Sequence, residues 1–303
     1  MHLFMSFACI SILVLSELGF WLTKLTVSGV GWSLAAAFVV AAVVLPVAAF
    51  LHEKGRSEWR DNVLVIPWCI FLGVLTPLPV LVAARLRMPF CDALFEGLER
   101  AFGLSTVSVM RWTGHPSLNW FFHLAYNQTL LFLILAIFLP PAMNKRESKV
   151  FVLANAIALF IGVFCFAIFP VIGPWRTENF VPSPLQVHAQ QTLLALRSPG
   201  KTVFSLSTDQ VGIVGFPSFH AVWAVLCAAA FWGFKRLRPL LVLVSVAIAI
   251  STITTGWHYI LDTAGGIATA FLSLLGAKII LGPEAQDPEG AEESELELTC
   301  QAD

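Results

Sequence analysis

Charged residues are scarce in this sequence. Only 12% of its 303 residues are Asp, Glu, Lys or Arg, whereas 57% are hydrophobic and the mean hydropathy is +0.80. A soluble domain carries about twice that share of charge. The composition therefore excludes a water-soluble enzyme, an intrinsically disordered chain and a nucleic-acid-binding protein. It predicts an all-α, polytopic membrane protein.

Motifs of soluble cofactor and metal enzymes are also missing. The sequence has no GxGxxG, Walker A or HExxH pattern, and its six cysteines form no CxxC pair and no zinc-ligand spacing. Four of the cysteines lie in apolar runs, which is typical of small buried hydrophobes. We therefore predict that the protein uses no cofactor.

Basic residues are absent from the last 20 positions. Eight carboxylates and no Lys or Arg lie between Glu284 and Asp303, which leaves 11 acids against 18 bases elsewhere, a formal charge of +7. We interpret residues 283–303 as an acidic, disordered tail, with a partner-binding tail as the alternative. The basic remainder suits a protein bordered by anionic lipid.

Apolar stretches that reach or approach the roughly 20 residues needed to cross a bilayer occur eight times. They cover residues 2–22, 31–51, 63–84, 118–139, 150–172, 216–234, 240–255 and 259–281. Pro67, Pro77 and Pro79 predict a kink in the third span. The pattern therefore predicts about eight transmembrane helices.

Lys and Arg residues concentrate in alternate loops, at residues 54–60, 145–149 and 235–238. This bias predicts that those loops and both termini are cytoplasmic, in a plasma or inner membrane. Between spans three and four, residues 89–103 place Leu94 and Phe95 on one helical face and acidic residues on the other. That pattern predicts an amphipathic helix in the interface plane.

These segments divide the chain into four regions. They are an N-terminal transmembrane extension (1–85), an interfacial amphipathic segment (86–117), a catalytic membrane core (118–282) and the acidic tail (283–303). Two longer segments, 85–117 and 173–215, lie on the predicted outer side. The second is rich in Pro, Ser and Gln, so we interpret it as a functional cover or a linker.

Two of the seven histidines have neighbours that indicate chemistry. His220 follows Gly215-Phe216-Pro217-Ser218-Phe219 at the start of the sixth span, where a helix amino terminus favours an anion. His258 lies between spans seven and eight, four residues before Asp262, so both fall on one helical face. A carboxylate that holds one ring nitrogen leaves the other free as a nucleophile or base.

The predicted topology brings His220 and His258 to the same membrane face. With Asp262 they could carry out phosphoryl transfer, with Arg176 and Ser218 as predicted phosphate ligands and Arg197 and Lys201 as weaker ones. Two alternatives remain open for this cluster. One is an Asp–His pair that satisfies itself at a helix end, and the other is a metal site.

At these residues the chain resembles the type-2 phosphatidic acid phosphatase superfamily. Pro217-Ser218-Phe219-His220 matches its Pro-Ser-x-His motif. His258 to Asp262, followed by Ala264-Gly265-Gly266, matches its His-x-x-x-Asp motif. The Lys-x₆-Arg-Pro motif of lipid phosphatases is missing, and Ser251-Thr252 stands where their third motif has Ser-Arg. The segment Phe216-Pro217-Ser218-Phe219-His220, with a bulky residue before the histidine, is more similar to the inositolphosphorylceramide synthase branch.

The resemblance implies a metal-independent enzyme that works through a phosphohistidine. His258 would be the nucleophile, His220 the acid and Asp262 the residue that orients His258. The implied substrate is a membrane lipid, and the acceptor is an alcohol or water. The missing basic motif favours an inositolphosphotransferase-like reaction over lipid phosphate hydrolysis, which is the alternative. A transporter or membrane scaffold is the non-enzyme alternative.

Overall fold

The computed structural model describes residues 1–139, 145–178, 180–206 and 212–282, and it shows a bundle of apolar helices. Seven helices in this part of the chain are long and apolar enough to cross a membrane: His2–Thr23, Val30–Glu53, Val65–Arg85, Pro116–Phe138, Arg146–Ile168, Lys235–Thr254 and Ile260–Leu281. The sixth predicted span, residues 216–234, contains a shorter apolar helix, Phe219–Ala230. The prediction of an all-α membrane bundle is therefore confirmed.

The elements are numbered here in chain order. The helices are α1 (His2–Thr23), α2 (Val30–Glu53), α3 (Ser57–Val63), α4 (Val65–Leu75), α5 (Pro77–Arg85), α6 (Asp92–Ala101), α7 (Thr106–Trp112), α8 (Pro116–Asn127), α9 (Thr129–Phe138), α10 (Lys145–Ile168), α11 (Pro184–Leu196), α12 (Phe219–Ala230), α13 (Arg238–Thr254) and α14 (Ile260–Leu281). The strands are β1 (Leu25–Ser28) and β2 (Thr202–Ser205).

Helices α10, α12, α13 and α14 form the centre of the bundle. Helix α10 packs against α12 and α14, and α12 also packs against α13. The N-terminal helices α4 and α5 lie on the outside of α10. The kink predicted in the third span lies between α4 and α5, where Pro77 begins α5, because proline cannot donate the backbone hydrogen bond that would continue the helix.

The segment predicted to be amphipathic forms α6, but its buried side is not the predicted apolar face. Phe95 is buried, whereas Leu94 and Leu98 are exposed and the acidic residues Asp92 and Glu99 are buried. The reason is that both carboxyl groups accept hydrogen bonds from backbone N–H groups, Asp92 from the loop after α10 and Glu99 from the first turn of α14. Helix α6 therefore turns acidic side chains inward and leucines outward.

A short parallel sheet, which the sequence does not predict, joins the N-terminal extension to the segment before α12. Strand β1 pairs with β2, from Leu25 opposite Thr202 to Ser28 opposite Ser205. The buried Arg85 side chain reinforces this junction. It donates to the carbonyl oxygens of Leu196 (2.8 Å), Ser198 (2.7 Å) and Gly200 (2.7 Å), and to that of Thr23. One guanidinium group thus ties the end of α1 to the end of α11.

The division of the chain into four regions stays a prediction. The acidic tail at residues 283–303 lies outside the described residues.

Candidate active site

Two adjacent turns bring His220 and His258 together. His220 is the second residue of α12, and His258 lies in the turn between α13 and α14. Their ring centroids are 6.2 Å apart, with an angle of 56° between the ring planes. Both histidines therefore lie at one end of the bundle, His220 in the first turn of α12 and His258 two residues before α14 begins.

Glycines of α14 allow this close approach. A Cβ atom on Gly266 would lie 2.4 Å from the Ser218 carbonyl oxygen, and one on Gly265 would lie 2.4 Å from the Phe216 ring. The Ser218 N–H donates to the carbonyl oxygen of Asp262 at 3.0 Å. The Gly-Gly pair thus lets α14 pack directly on the segment that begins α12.

The hydrogen bonds of His258 define which ring nitrogen is free. Its Nδ1 lies 2.9 Å from the Gly215 carbonyl oxygen, and its side chain is almost fully buried. A carbonyl oxygen can only accept, so Nδ1 carries the proton and the lone pair is on Nε2. Burial lowers the pKa of His258 to about 4, which the Gly215 hydrogen bond partly opposes. The ring is therefore neutral near pH 7, as a nucleophile must be.

Asp262 lies beside His258 and also caps α14. Its Oδ2 accepts from the Tyr259 N–H at 2.8 Å and is 3.6 Å from His258 Nδ1. Its Oδ1 is buried and has no hydrogen-bond partner among the described residues. The Gly215 carbonyl, rather than Asp262, is thus the nearer acceptor for His258. The Asp262 carboxyl group also faces Nδ1 of His258, but at 3.6 Å rather than at the 2.9 Å of the Gly215 carbonyl oxygen.

Two residues that sequence reasoning missed complete the amino end of α14. Glu99 Oε1 accepts from the Leu261 N–H at 3.1 Å, and Glu99 Oε2 accepts from the Thr106 hydroxyl at 2.8 Å. Thr106 Oγ1 in turn accepts from the Ile260 N–H at 3.2 Å. Because free N–H groups at a helix start need partners, Glu99 and Thr106 hold the turn that carries His258. The sequence does not indicate this role, because Glu99 lies on the polar face of a helix predicted to be amphipathic.

Aromatic side chains surround His220 and shape a cavity. Tyr126 stacks on the imidazole with ring centroids 4.2 Å apart, and Trp257 lies parallel to Tyr126 at 6.3 Å. The cavity has a volume of about 300 Å³, and both histidines line it. Tyr126 is itself among the residues that line this cavity.

Neither of the two predicted phosphate ligands, Ser218 and Arg176, is among the described residues that line the cavity. Ser218 is fully buried and caps α12, with its hydroxyl accepting from the Ala221 N–H, while Pro217 lies before the helix. The guanidinium of Arg176 is 3.7 Å from Asp92 Oδ2 and stacks over Phe90.

Asp92 anchors the loop that carries Arg176. Its Oδ1 accepts from the Ile172 and Gly173 N–H groups, each at 3.0 Å. Burial raises the pKa of Asp92, whereas these two N–H groups and Arg176 act in the opposite direction. Of the weaker candidates, Arg197 stacks over Phe90 and donates to the Met88 carbonyl. Within the described ranges, Lys201 has no hydrogen bond or ion pair to the residues of the site.

Helix α11 lies over the site. Gln186 Nε2 donates to the Thr255 carbonyl oxygen at 3.3 Å, three residues before His258. Gln190 Oε1 accepts from the indole N–H of Trp175 at 2.7 Å, and Trp175 packs edge-on against Trp257. The segment predicted as a cover or linker thus contains a helix bonded to the His258 turn.

Comparison with known proteins identifies the family. The family model described as the PAP2 superfamily matches residues 93–276, more than half of the chain. The chain belongs to the PAP2 superfamily. The PAP2 match begins within α6 and so includes the amphipathic segment, whereas the first 92 residues lie outside it. Members of this superfamily are typically phosphatases or phosphotransferases. No curated protein and no solved structure gives a significant match.

The metal-site alternative has no support in the geometry. Within the described ranges, no group of three or more His, Cys, Asp or Glu side chains is placed to hold a metal ion.

Proposed function

We propose that this chain is a membrane enzyme that transfers a lipid phosphoryl or phospho-headgroup group through a phosphohistidine on His258, without a metal. One observation carries this proposal. The Nδ1–H of His258 is directed to the Gly215 carbonyl, so the Nε2 lone pair is free, 6.2 Å between ring centroids from a second histidine. Family membership supports the reaction class, and a membrane lipid fits a site in a membrane bundle.

The reaction takes two balanced steps. In the first, His258 Nε2 attacks phosphorus, the P–O bond to the leaving group breaks, and His220 gives its proton to the leaving oxygen. In the second, an alcohol or water attacks the phosphohistidine while His220 takes its proton. The P–N bond breaks and restores neutral His258. Asp262 assists by stabilising positive charge on the His258 ring as the P–N bond forms.

Charge stabilisation comes from the amino end of α12 and from Arg176. A bound phosphate favours a protonated His220, because an opposite charge nearby favours the charged form. Ser218 fixes the first turn of α12, whose dipole also favours an anion. The loose ion pair of Arg176 with Asp92 leaves guanidinium donors for a phosphate oxygen.

Transfer to an alcohol, as in an inositolphosphotransferase, is the favoured form of the reaction. An efficient transferase must keep water from the phosphohistidine. Helix α11 is the element that excludes water in this proposal, because Gln186 and Gln190 attach it to the residues beside the site. Hydrolysis of phosphatidic acid or a polyprenyl phosphate is the alternative. A transporter or scaffold role is less favoured because members of the matched superfamily are typically phosphatases or phosphotransferases.

The test uses purified protein in detergent with a panel of phospholipids, with and without inositol and other alcohols. His258→Ala should abolish turnover, and Asp262→Asn should lower it by a factor on the order of 10⁴, the scale for an orienting carboxylate. His123→Ala, on the exposed side of α8, is the matched control. An acid-labile phosphorylated intermediate should form on wild type and not on His258→Ala.

The products decide between the two reactions. A phosphorylated alcohol indicates transfer, and inorganic phosphate released from phosphatidic acid despite added alcohols indicates hydrolysis. Near-normal activity in well-folded His258→Ala protein would refute the phosphohistidine mechanism.

A further inference from the structure

A second cavity adjoins the cavity that holds the two histidines. It has a volume of about 410 Å³, and the first has about 300 Å³, each within the range of small-molecule pockets. The two cavities share five lining residues: Thr76, Pro77, Leu206, Phe219 and Trp223. They therefore meet where Pro77 breaks the third span and continue from the histidines along α4 and α9.

The second cavity offers an apolar surface. Its lining has three side chains with hydroxyl or amide groups in the described residues, and each donates to the carbonyl oxygen four residues earlier in the chain. These bonds run from Ser33 to Gly29 (3.3 Å), from Thr76 to Leu72 (2.6 Å) and from Asn155 to Phe151 (2.8 Å). Since each of these groups already donates one hydrogen bond and most of the lining is aliphatic or aromatic, the cavity suits a hydrocarbon chain rather than a polar ligand.

The walls come from two parts of the chain. Helices α9, α10 and α12 belong to the region that the family model matches, whereas α2, α4 and the start of α5 precede it. The N-terminal extension thus supplies a wall that is additional to the PAP2 match.

Gly73 lies in this additional wall at a position that is open to the cavity. A Cβ atom placed there would meet no heavy atom within 4 Å, and its backbone φ does not lie in the left-handed region. A side chain at position 73 would therefore start without a clash at its Cβ atom, beside the cavity that Gly73 lines. It would also favour the helical state, since glycine is a poor helix former.

We propose that a hydrocarbon chain of the lipid substrate runs from the His220–His258 cavity into this second cavity, and that Gly73 sets the chain length accepted. The proposal rests on the proposed function, because the chain must belong to the lipid whose phosphate reaches the histidines. A chain that leaves the bilayer exchanges one apolar surface for another, so selection comes from steric fit. Fit to an apolar pocket discriminates by about 10- to 200-fold per methylene.

The experiment compares Gly73→Phe with Gly31→Phe in the full-length protein. Gly31 lies in the same extension, its Cβ would also meet nothing within 4 Å, and it lines neither cavity. The probes are phosphatidic acids, and any other lipid consumed in the panel, each with 6-carbon or 16-carbon chains. Gly73→Phe should lower the ratio of kcat/KM for long over short chains at least tenfold, and Gly31→Phe should leave that ratio at the wild-type value. Ile134→Trp, on the α9 wall, replaces Gly73→Phe if that variant does not fold.

A binding measurement separates failure of this proposal from failure of the enzyme assignment. Phosphatidic acid with a diazirine at the end of a 16-carbon chain is irradiated with each protein, and the labelled peptides are mapped. Labels on α4 and α9 in the wild type that are lost in Gly73→Phe support binding of the chain in the second cavity, even if no lipid is turned over. If an active Gly73→Phe enzyme keeps the wild-type ratio of kcat/KM for long over short chains, the chain does not bind in the second cavity, and the proposed function is unaffected. Labels found only on helices other than α4 and α9 lead to the same conclusion.

Discussion

Replacing Glu99 with Ala removes two hydrogen-bond acceptors from the start of α14. The carboxyl group is almost fully buried and accepts from the Leu261 N–H at 3.1 Å and from the Thr106 hydroxyl at 2.8 Å. A hydrogen bond to a carboxylate contributes about 1.5 kcal/mol or more, so the substitution should cost about 3 kcal/mol. With an unfolding entropy of about 2.1 cal/mol/K per residue, that corresponds to a fall in the denaturation midpoint of about 5 °C for a chain of this size.

The same substitution should also reduce turnover. The first turn of α14 carries Asp262, and His258 lies directly before it. Misplacement of a reacting group by about 1 Å can cost roughly 10²-fold in rate. We therefore expect a loss of that order in kcat with a smaller change in KM.

Glu96→Ala provides the matched control on the same helix. Glu96 pairs with the exposed Arg100. Among the described residues it forms no hydrogen bond with α14 or with Thr106. Glu99→Gln retains one acceptor and should lie between wild type and Glu99→Ala. The measurements are thermal denaturation in detergent and kcat/KM for a consumed lipid. If Glu99→Ala matched Glu96→Ala in both, Glu99 would not position α14.

Three further predictions concern the cover, the phosphate and pH. Arg85→Met should loosen the segment after α11 and speed its backbone hydrogen exchange, whereas Arg87→Met, which loses one exposed bond to Ser198, should not. Arg176→Met should raise KM or lower kcat at least tenfold if Arg176 contacts the phosphate, and no change in either would remove it from the site. Because burial keeps the pKa of His258 at about 4, the acid limb of kcat/KM should fall near pH 4. A limb near pH 6.5 would mean that His258 is solvated before substrate binds.

Much of the bundle could be predicted because its signals are local. An apolar run of about 20 residues must form a helix in lipid, and Pro77 indicates where one such run breaks. The Asp262–His258 spacing likewise depends on a single turn. The pairing of His220 with His258 follows from counting spans.

Other features depend on contacts between distant segments. The amphipathic pattern of α6 assumes that acidic residues face water, but Asp92 and Glu99 accept from N–H groups far along the chain. Strands β1 and β2 have four residues each and pair across about 180 positions, too short for a periodic signal. The Gly215 carbonyl that holds His258 leaves no side-chain signature at all.

The short length of α12 has a consequence for depth in the membrane. Its 12 residues cover about 18 Å, whereas the hydrocarbon core is about 30 Å thick. If its carboxyl end lies level with the basic turn at Lys235–Leu237, its amino end falls short of the opposite headgroup layer. His220 then lies below that layer, and the irregular segment at residues 212–218 covers the remaining distance. In the proposed reaction, a lipid phosphate therefore descends from the surface to meet the imidazole, and the water or alcohol acceptor must also pass below that layer.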